Sequence, residues 1–178
     1  MPGRHPSSHT RLISHTRLIQ YARSALPRLW RSVPGLQWRL LHLTQPTFLV
    51  GVSALLRTSS GEFLLVKNAF WPADQQWGMP TGYLEQGETL TESVTRELHE
   101  EIGGGTVVDL RVLDMTAGYR MRVEVLVEGT VKDLPSAREH DSLEVSDHRL
   151  ATMEALPQDL HPGHRDLLRK HAGPTAPQ

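Results

Sequence analysis

The hydrophobic positions follow two regimes that meet at Thr47. Past that point, short apolar runs alternate with turn residues. Residues 48–56 and 62–66 are strand-length runs rich in Val, Leu and Phe, separated by Thr58-Ser59-Ser60-Gly61, so they predict a hairpin. A loop rich in aromatics and Pro follows over 68–76, then an irregular, glycine-containing stretch over 77–87. Residues 89–102 predict a helix: Val94, Leu98 and Ile102 recur every four positions. Thr89 and Glu92 have the spacing of a capping box, and Gly103-Gly104-Gly105 ends the run. Further strands are predicted over 106–115 and 120–127, an acidic loop over 139–147, a short strand over 148–152 and a last helix over 164–171. Strands and helices alternate irregularly, the pattern of an α/β (α+β) domain.

Residues 1–46 read differently. Ser8 to Ile13 is repeated at once as Ser14 to Ile19, a duplication too short to be a solenoid unit. Ile19, Ala22, Leu26, Leu29 and Trp30 fit one face of a helix interrupted near Pro27, and Pro34-Gly35 and Pro46 punctuate the way into the main domain. The first 61 residues hold eight arginines and no acidic residue, so a net charge of −1 conceals a basic start and an acidic remainder. A basic, acid-free segment suits a phosphate-bearing partner or an organelle transit peptide; a helix packed on the domain or on a partner is the simpler reading. The expected organisation is a basic extension over 1–46, partly helical or disordered, one domain over 47–172, and a tail over 173–178.

Composition narrows the chemistry. With 178 residues, 38% hydrophobic and 22% charged, the chain has the size and balance of one globular domain. It has no apolar run of the ~18 residues that a membrane helix needs. The absence of cysteine excludes disulfides, thiolate metal sites and cysteine nucleophiles, and a cytoplasmic protein is expected.

The helix over 89–102 carries the candidate chemistry. At about 100° per residue, Glu97, Glu100 and Glu101 stand at roughly 0°, 300° and 40°, on one face. Three carboxylates there repel one another, close to a helix C-terminus where the macrodipole disfavours anions. A solvated acidic face is the usual fate of such a run. A hard divalent cation would offset the repulsion, and magnesium prefers oxygen ligands while keeping waters for phosphates.

The wider spacing is more specific. Gly82, Glu88, Arg96, Glu97, Glu100, Glu101 and Gly103, with Leu98, fit the pattern G-x5-E-x7-R-E-U-x-E-E-x-G-U, where U is aliphatic. Seven fixed positions at about one chance in 20 each give ~10⁻⁹ per starting point. The stretch from Gly82 to Gly104 thus resembles the Nudix box, and the flanking strand order suits that family over 47–171. Two positions depart from it: Gly104 replaces the last aliphatic residue, and Thr81 stands where many relatives have glycine.

The resemblance implies a mixed sheet sandwiched between helices, and a hydrolase of phosphoanhydride bonds that uses Mg2+ or Mn2+. The expected substrate is a small nucleotide-type molecule, a nucleoside diphosphate linked to another moiety. Carried over, Glu97, Glu100 and Glu101 ligate the metal, Arg96 orients a carboxylate, and Gly82 and Glu88 support the substrate site. The general base is Glu101 or a residue of the late acidic loop: Glu139, Asp141 or Glu144, with Glu144 preferred because it precedes the late strand.

Phe70, Trp71 and Tyr83 are candidates to stack on a base, although core or rim packing is the commoner role of such residues. Trp77 reads as core and His99 as exposed. His161-Pro162-Gly163-His164 reads as a turn rather than a metal site. Two rival functions remain: an RNA 5'-end pyrophosphohydrolase aided by the basic extension, and a non-catalytic nucleotide-binding regulator, against which the complete set of box carboxylates argues. Oligomeric state is left open.

Overall fold

The computed structural model describes residues 35–45, 47–117, 119–135 and 142–171. The hexapeptide repeat, the helical face between Ile19 and Trp30, Glu139, Asp141 and the tail over 173–178 lie outside the described residues. The chain divides into two units, Met1–Thr47 and Phe48–Gln178. In the first, a helix α1 (Leu36–Thr44) begins at Gly35, which caps it in the left-handed region at φ 87°, and ends with Gln45 N–H donating to the Leu41 carbonyl at 2.7 Å. Pro34-Gly35 and Pro46, punctuation in the sequence, therefore bracket an element of their own.

The second unit contains β1 (Leu49–Arg57), β2 (Phe63–Asn68), β3 (Trp77–Gly78), β4 (Thr81–Tyr83), α2 (Leu90–Ile102), β5 (Thr106–Ala117), β6 (Arg122–Lys132), β7 (Val145–Ala151) and α3 (Pro162–His171). Among the described residues seven strands form one sheet, with the path β3-β2-β1-β6-β5. The β1–β2 hairpin turns where expected: Thr58 N–H donates to the Glu62 carbonyl at 2.9 Å, with Gly61 at φ 87°. Beyond the turn the two strands part. Residues Gly51 to Ser53 of β1 pair with β4, while β2 pairs with β3 and β7. β1 also runs parallel to β6 over nine positions. The candidate site lies at this fork.

Both faces of the sheet are covered, so β1 and β2 read as nearly continuous apolar runs. On one face Val52, Ala54, Leu56, Leu64 and Val66 meet Val94, Leu98 and Ile102 of α2. On the other, Leu55, Phe63, Leu65 and Leu126 meet Leu168 of α3. This is the expected sandwich. Replacing a fully buried side chain such as Leu98 with Ala would cost about 2–5 kcal/mol.

Helix α2 has the predicted ends. Thr89 Oγ1 accepts from Glu92 N–H at 3.2 Å, and the Glu92 carboxylate accepts from Thr89 N–H at 2.8 Å. Gly103 closes the helix in the left-handed region at φ 82°.

Several boundaries differ from expectation. Arg120 and Met121 belong to a turn rather than a strand, with φ of 50° and 58°. The expected acidic loop gives way to strand at Val145, because residues 145–147 pair with β2. Pro162 opens α3, where its missing N–H is no loss, so Pro162-Gly163 is a helix start and not a turn.

Candidate active site

The box residues meet through one arginine. Arg96 Nε and Nη2 grip the two Glu88 oxygens at 2.7 and 3.2 Å, a bidentate fork. Its Nη1 donates to Glu97 at 3.0 Å and to Glu100 at 3.2 Å, and Nη2 also donates to the Tyr83 carbonyl at 2.9 Å. The guanidinium thus ties the loop before α2 to the acidic face of the helix. Arg96 holds the Glu88 carboxyl below its ordinary range, with the Glu85 amide assisting, and Arg96 is itself stabilised in its charged form chiefly by Glu88.

The three helical carboxylates sit in different surroundings. Glu100 is exposed, Glu97 half-buried and Glu101 buried at 6% exposure. Burial pushes the Glu97 carboxyl up against the opposing pull of Arg96. Glu101 is raised well above the usual range by burial first, then by the charges of Glu97, Glu144 and Glu100. Its Oε2 is buried and has no hydrogen-bond partner. Among the described residues no three acidic or histidine side chains converge as ready-made metal ligands. Arg96 draws the Glu97 and Glu100 carboxylates to itself, while Glu101 lies deeper, beside the Thr81 amide.

Gly82 has a steric reason to be glycine. A Cβ at this position would overlap the Glu97 carboxylate, which lies directly on its backbone. Thr81, one of the two departures from the family pattern, is accommodated because it sits in β4, paired with Ser53, where a β-branched residue fits. At the other departure, Gly104 is buried, with Pro135 3.8 Å from the position its Cβ would take.

Glu144 also reaches the cluster. Asn68, a buried residue at the end of β2, donates from Nδ2 to Glu144 Oε1 at 2.9 Å, and the Glu144 carbonyl accepts from Ala69 N–H at 2.7 Å. Nothing in the local sequence marked Asn68; only the β2–β7 pairing brings it to Glu144. Glu97, Glu100, Glu144 and Gly82 line an open cleft of about 830 Å3, and Arg122 and Glu124 of β6 line it as well. Glu88 faces a neighbouring groove and reaches the cluster through Arg96.

Of the aromatic candidates, Phe70 is 75% exposed, Tyr83 lies under the Arg122 guanidinium at 5.1 Å, and Trp71 lines the cleft. Trp77 is core and His99 is exposed, as read from the sequence. No helix among the described residues is long and apolar enough to cross a membrane.

Comparisons with known proteins agree with this arrangement. A family model described as the NUDIX domain matches residues 47–171. The chain is similar to a Caenorhabditis elegans protein named putative nudix hydrolase 1, at 29% identity over 134 residues, which is 74% of this chain and 36% of that protein. It therefore spans about a third of the length of that relative. Its fold is similar to that of a NUDIX hydrolase from Nitrosomonas europaea, with TM-score 0.57 and 20% identity, covering 71% of this chain and 90% of the other. A MutT NUDIX hydrolase from Burkholderia pseudomallei gives TM-score 0.55 and 23% identity, covering 69% and 97%. With the domain matched over most of its length and the box residues gathered around one arginine, the chain belongs to the Nudix hydrolase family, whose members cleave pyrophosphate bonds, generally with a divalent metal ion.

Proposed function

We propose that the chain hydrolyses a phosphoanhydride bond in a nucleoside diphosphate linked to another moiety, with Mg2+ or Mn2+ held by Glu97, Glu100 and Glu101. The observation that carries this reading is the Glu101 oxygen, buried and unpartnered among three further carboxylates. A buried carboxylate oxygen without a partner is costly, and an all-oxygen, anionic donor set is what a hard divalent cation takes. Arg96 Nη1 serves both Glu97 and Glu100, so either carboxylate can turn toward a cation while the guanidinium stays anchored on Glu88 and the Tyr83 carbonyl. When bound, the cation would neutralise the diphosphate and polarise the attacked phosphorus.

The protein's own groups supply the rest. Arg96 is a positioning residue, since its bonds go to carboxylates and a carbonyl of the chain. Glu88 acts through it. Glu144 lines the cleft with one oxygen fixed by Asn68, which suits it to take the proton from the attacking water. Gly82 leaves room for Glu97. Arg122 is a cleft cation outside the box, ion-paired with Glu124 at 2.6 Å, and phosphates would compete with that carboxylate for it. A small nucleotide conjugate in the cytoplasm, rather than a nucleic acid, belongs to the same reading.

The test is Glu101→Gln assayed on a panel of nucleotide sugars, dinucleoside polyphosphates, ADP-ribose and nucleoside triphosphates with added Mg2+. Losing several kcal/mol of metal-centred stabilisation predicts at least ~10³-fold lower turnover. Parent-like turnover in Glu101→Gln would sink the mechanism.

A further inference from the structure

The cleft continues past the carboxylates to a wall of a different kind. Trp71, from the loop after β2, meets His161 and His164 at the start of α3. The three ring centroids lie 5.0 to 5.2 Å apart and every pair is tilted or edge-on. All three residues line the same cleft as Glu97 and Glu100. Trp71 and His164 rest on Gly78, where a Cβ would come within 2.5 Å of both Trp71 Cζ3 and His164 Nδ1.

His164 Nδ1 accepts a hydrogen bond from Met79 N–H at 3.0 Å, so that nitrogen carries no proton. Burial, with the nearby His161, pushes the His164 pKa down to about 4. His161 is pinned by its own backbone, its N–H donating to the Trp77 carbonyl at 2.7 Å, while its Nδ1 is buried with no partner. The core at this end is already filled by Trp77 at 6% exposure, whereas Trp71 remains partly exposed.

The two ends therefore suit different chemical groups. Arg96, Glu97, Glu100, Arg122 and Glu124 stand at the charged end. A wall of packed aromatic rings suits a flat heteroaromatic ring. A cleft of about 830 Å3 has room for a diphosphate and such a ring together. We propose that Trp71, His161 and His164 form the subsite for the nucleobase of the substrate, with Trp71 stacking on the base and the two imidazoles holding the indole in place. The link to turnover rests on the diphosphate hydrolysis proposed above; binding of the base does not.

The experiment separates the two. In the full chain without metal, the Trp71 indole N–H is assigned by its loss in Trp71→Phe and followed by NMR as each ribonucleoside is added, with ribose 5-phosphate as the base-free control. At least one nucleoside should shift that signal in a saturable way, and the control should not; silence with every nucleoside overturns the proposal. Enzymatically, Trp71→Ala should lower kcat/KM for a hydrolysed nucleoside diphosphate conjugate such as ADP-ribose on the order of 10- to 100-fold more than for the base-free phosphoribosyl pyrophosphate. The loss should lie mainly in KM, with Trp71→Phe restoring part of it. Equal losses on both substrates overturn the subsite. Saturable nucleoside binding without hydrolysis of any conjugate would uphold the subsite and reject the hydrolytic reading.

Discussion

The two ends of the cleft are built in opposite ways. The acidic end comes mostly from one contiguous stretch. Thr81, Gly82, Glu88, Arg96, Glu97, Glu100 and Glu101 lie within 21 positions, on a β4 strand and a helix with a complete capping box. The aromatic end is assembled from the β2–β3 loop, from β3 and from the start of α3, pieces as much as 93 positions apart between Trp71 and His164. The first can be stiff because the helix carries its own hydrogen bonds and caps. The second depends on the whole sheet being in register. Damage to the acidic end should therefore appear as lost turnover in a folded protein, and damage to the aromatic end as altered affinity or stability.

Three perturbations sharpen or break this contrast. The largest is Glu144→Gln, which keeps an oxygen to accept from Asn68 but cannot take a proton. Turnover should fall roughly 10²- to 10³-fold with KM and melting temperature little changed. A loss confined to KM would remove Glu144 from proton transfer. Next is Gly82→Ala, whose methyl collides first with the flexible Glu97 side chain. Displacing that carboxylate by about 1 Å should lower turnover about 10²-fold, while circular dichroism and melting stay near the parent. A variant that unfolds would show that the acidic end is not separable from the fold.

The smallest effect concerns the aromatic end and pH. The His164 pKa lies at about 4 when folded, against 6.5 ordinarily, so the unfolded chain binds more protons in that window. Its stabilising contribution is complete above about pH 6.5 and is lost as pH falls toward 4, by about 3 kcal/mol at the lower limit. Urea midpoints at stepped pH should show this decline, and His164→Asn should flatten it. An unchanged slope in that variant would place the proton uptake elsewhere.

The same contrast explains what could be read from the chain alone. Val94, Leu98 and Ile102, the Thr89–Glu92 cap and the Gly103 stop are local signals at fixed offsets, and the structure has all of them. The helical part of the box lies within that legible stretch, whereas its start at Gly82 falls in a run that reads only as irregular and proves to hold β4, fixed by its pairing with β1. Strand β7 was legible only in its second half, because Ser146, Asp147, Arg149 and Leu150 are exposed and show no alternation. Its start at Val145 is fixed by pairing with Asn68, across 76 intervening positions. Asn68 is an ordinary polar residue in the sequence; its burial and its bond to Glu144 exist only after that pairing. His161 and His164 flank Pro162-Gly163, and a pair such as this is ambiguous between turn and first helical turn until Leu168 is seen to bury against the sheet.

Gly78 and Gly82 bound a run of five residues, and each lies under a different end of the cleft. In a drifting gene this run would be the least forgiving part of the chain, although neither glycine carries chemistry. Any side chain at Gly82 presses on the Glu97 carboxylate, and any side chain at Gly78 presses on Trp71 and His164. Buried Met79 and Pro80 lie between them, with the Pro80 carbonyl accepting from Ala54 N–H at 2.9 Å, so the backbone cannot sink to make room. Variation in what the enzyme accepts therefore has to enter through the cleft's walls, at Trp71, His161 or Arg122, because its floor has no slack to give.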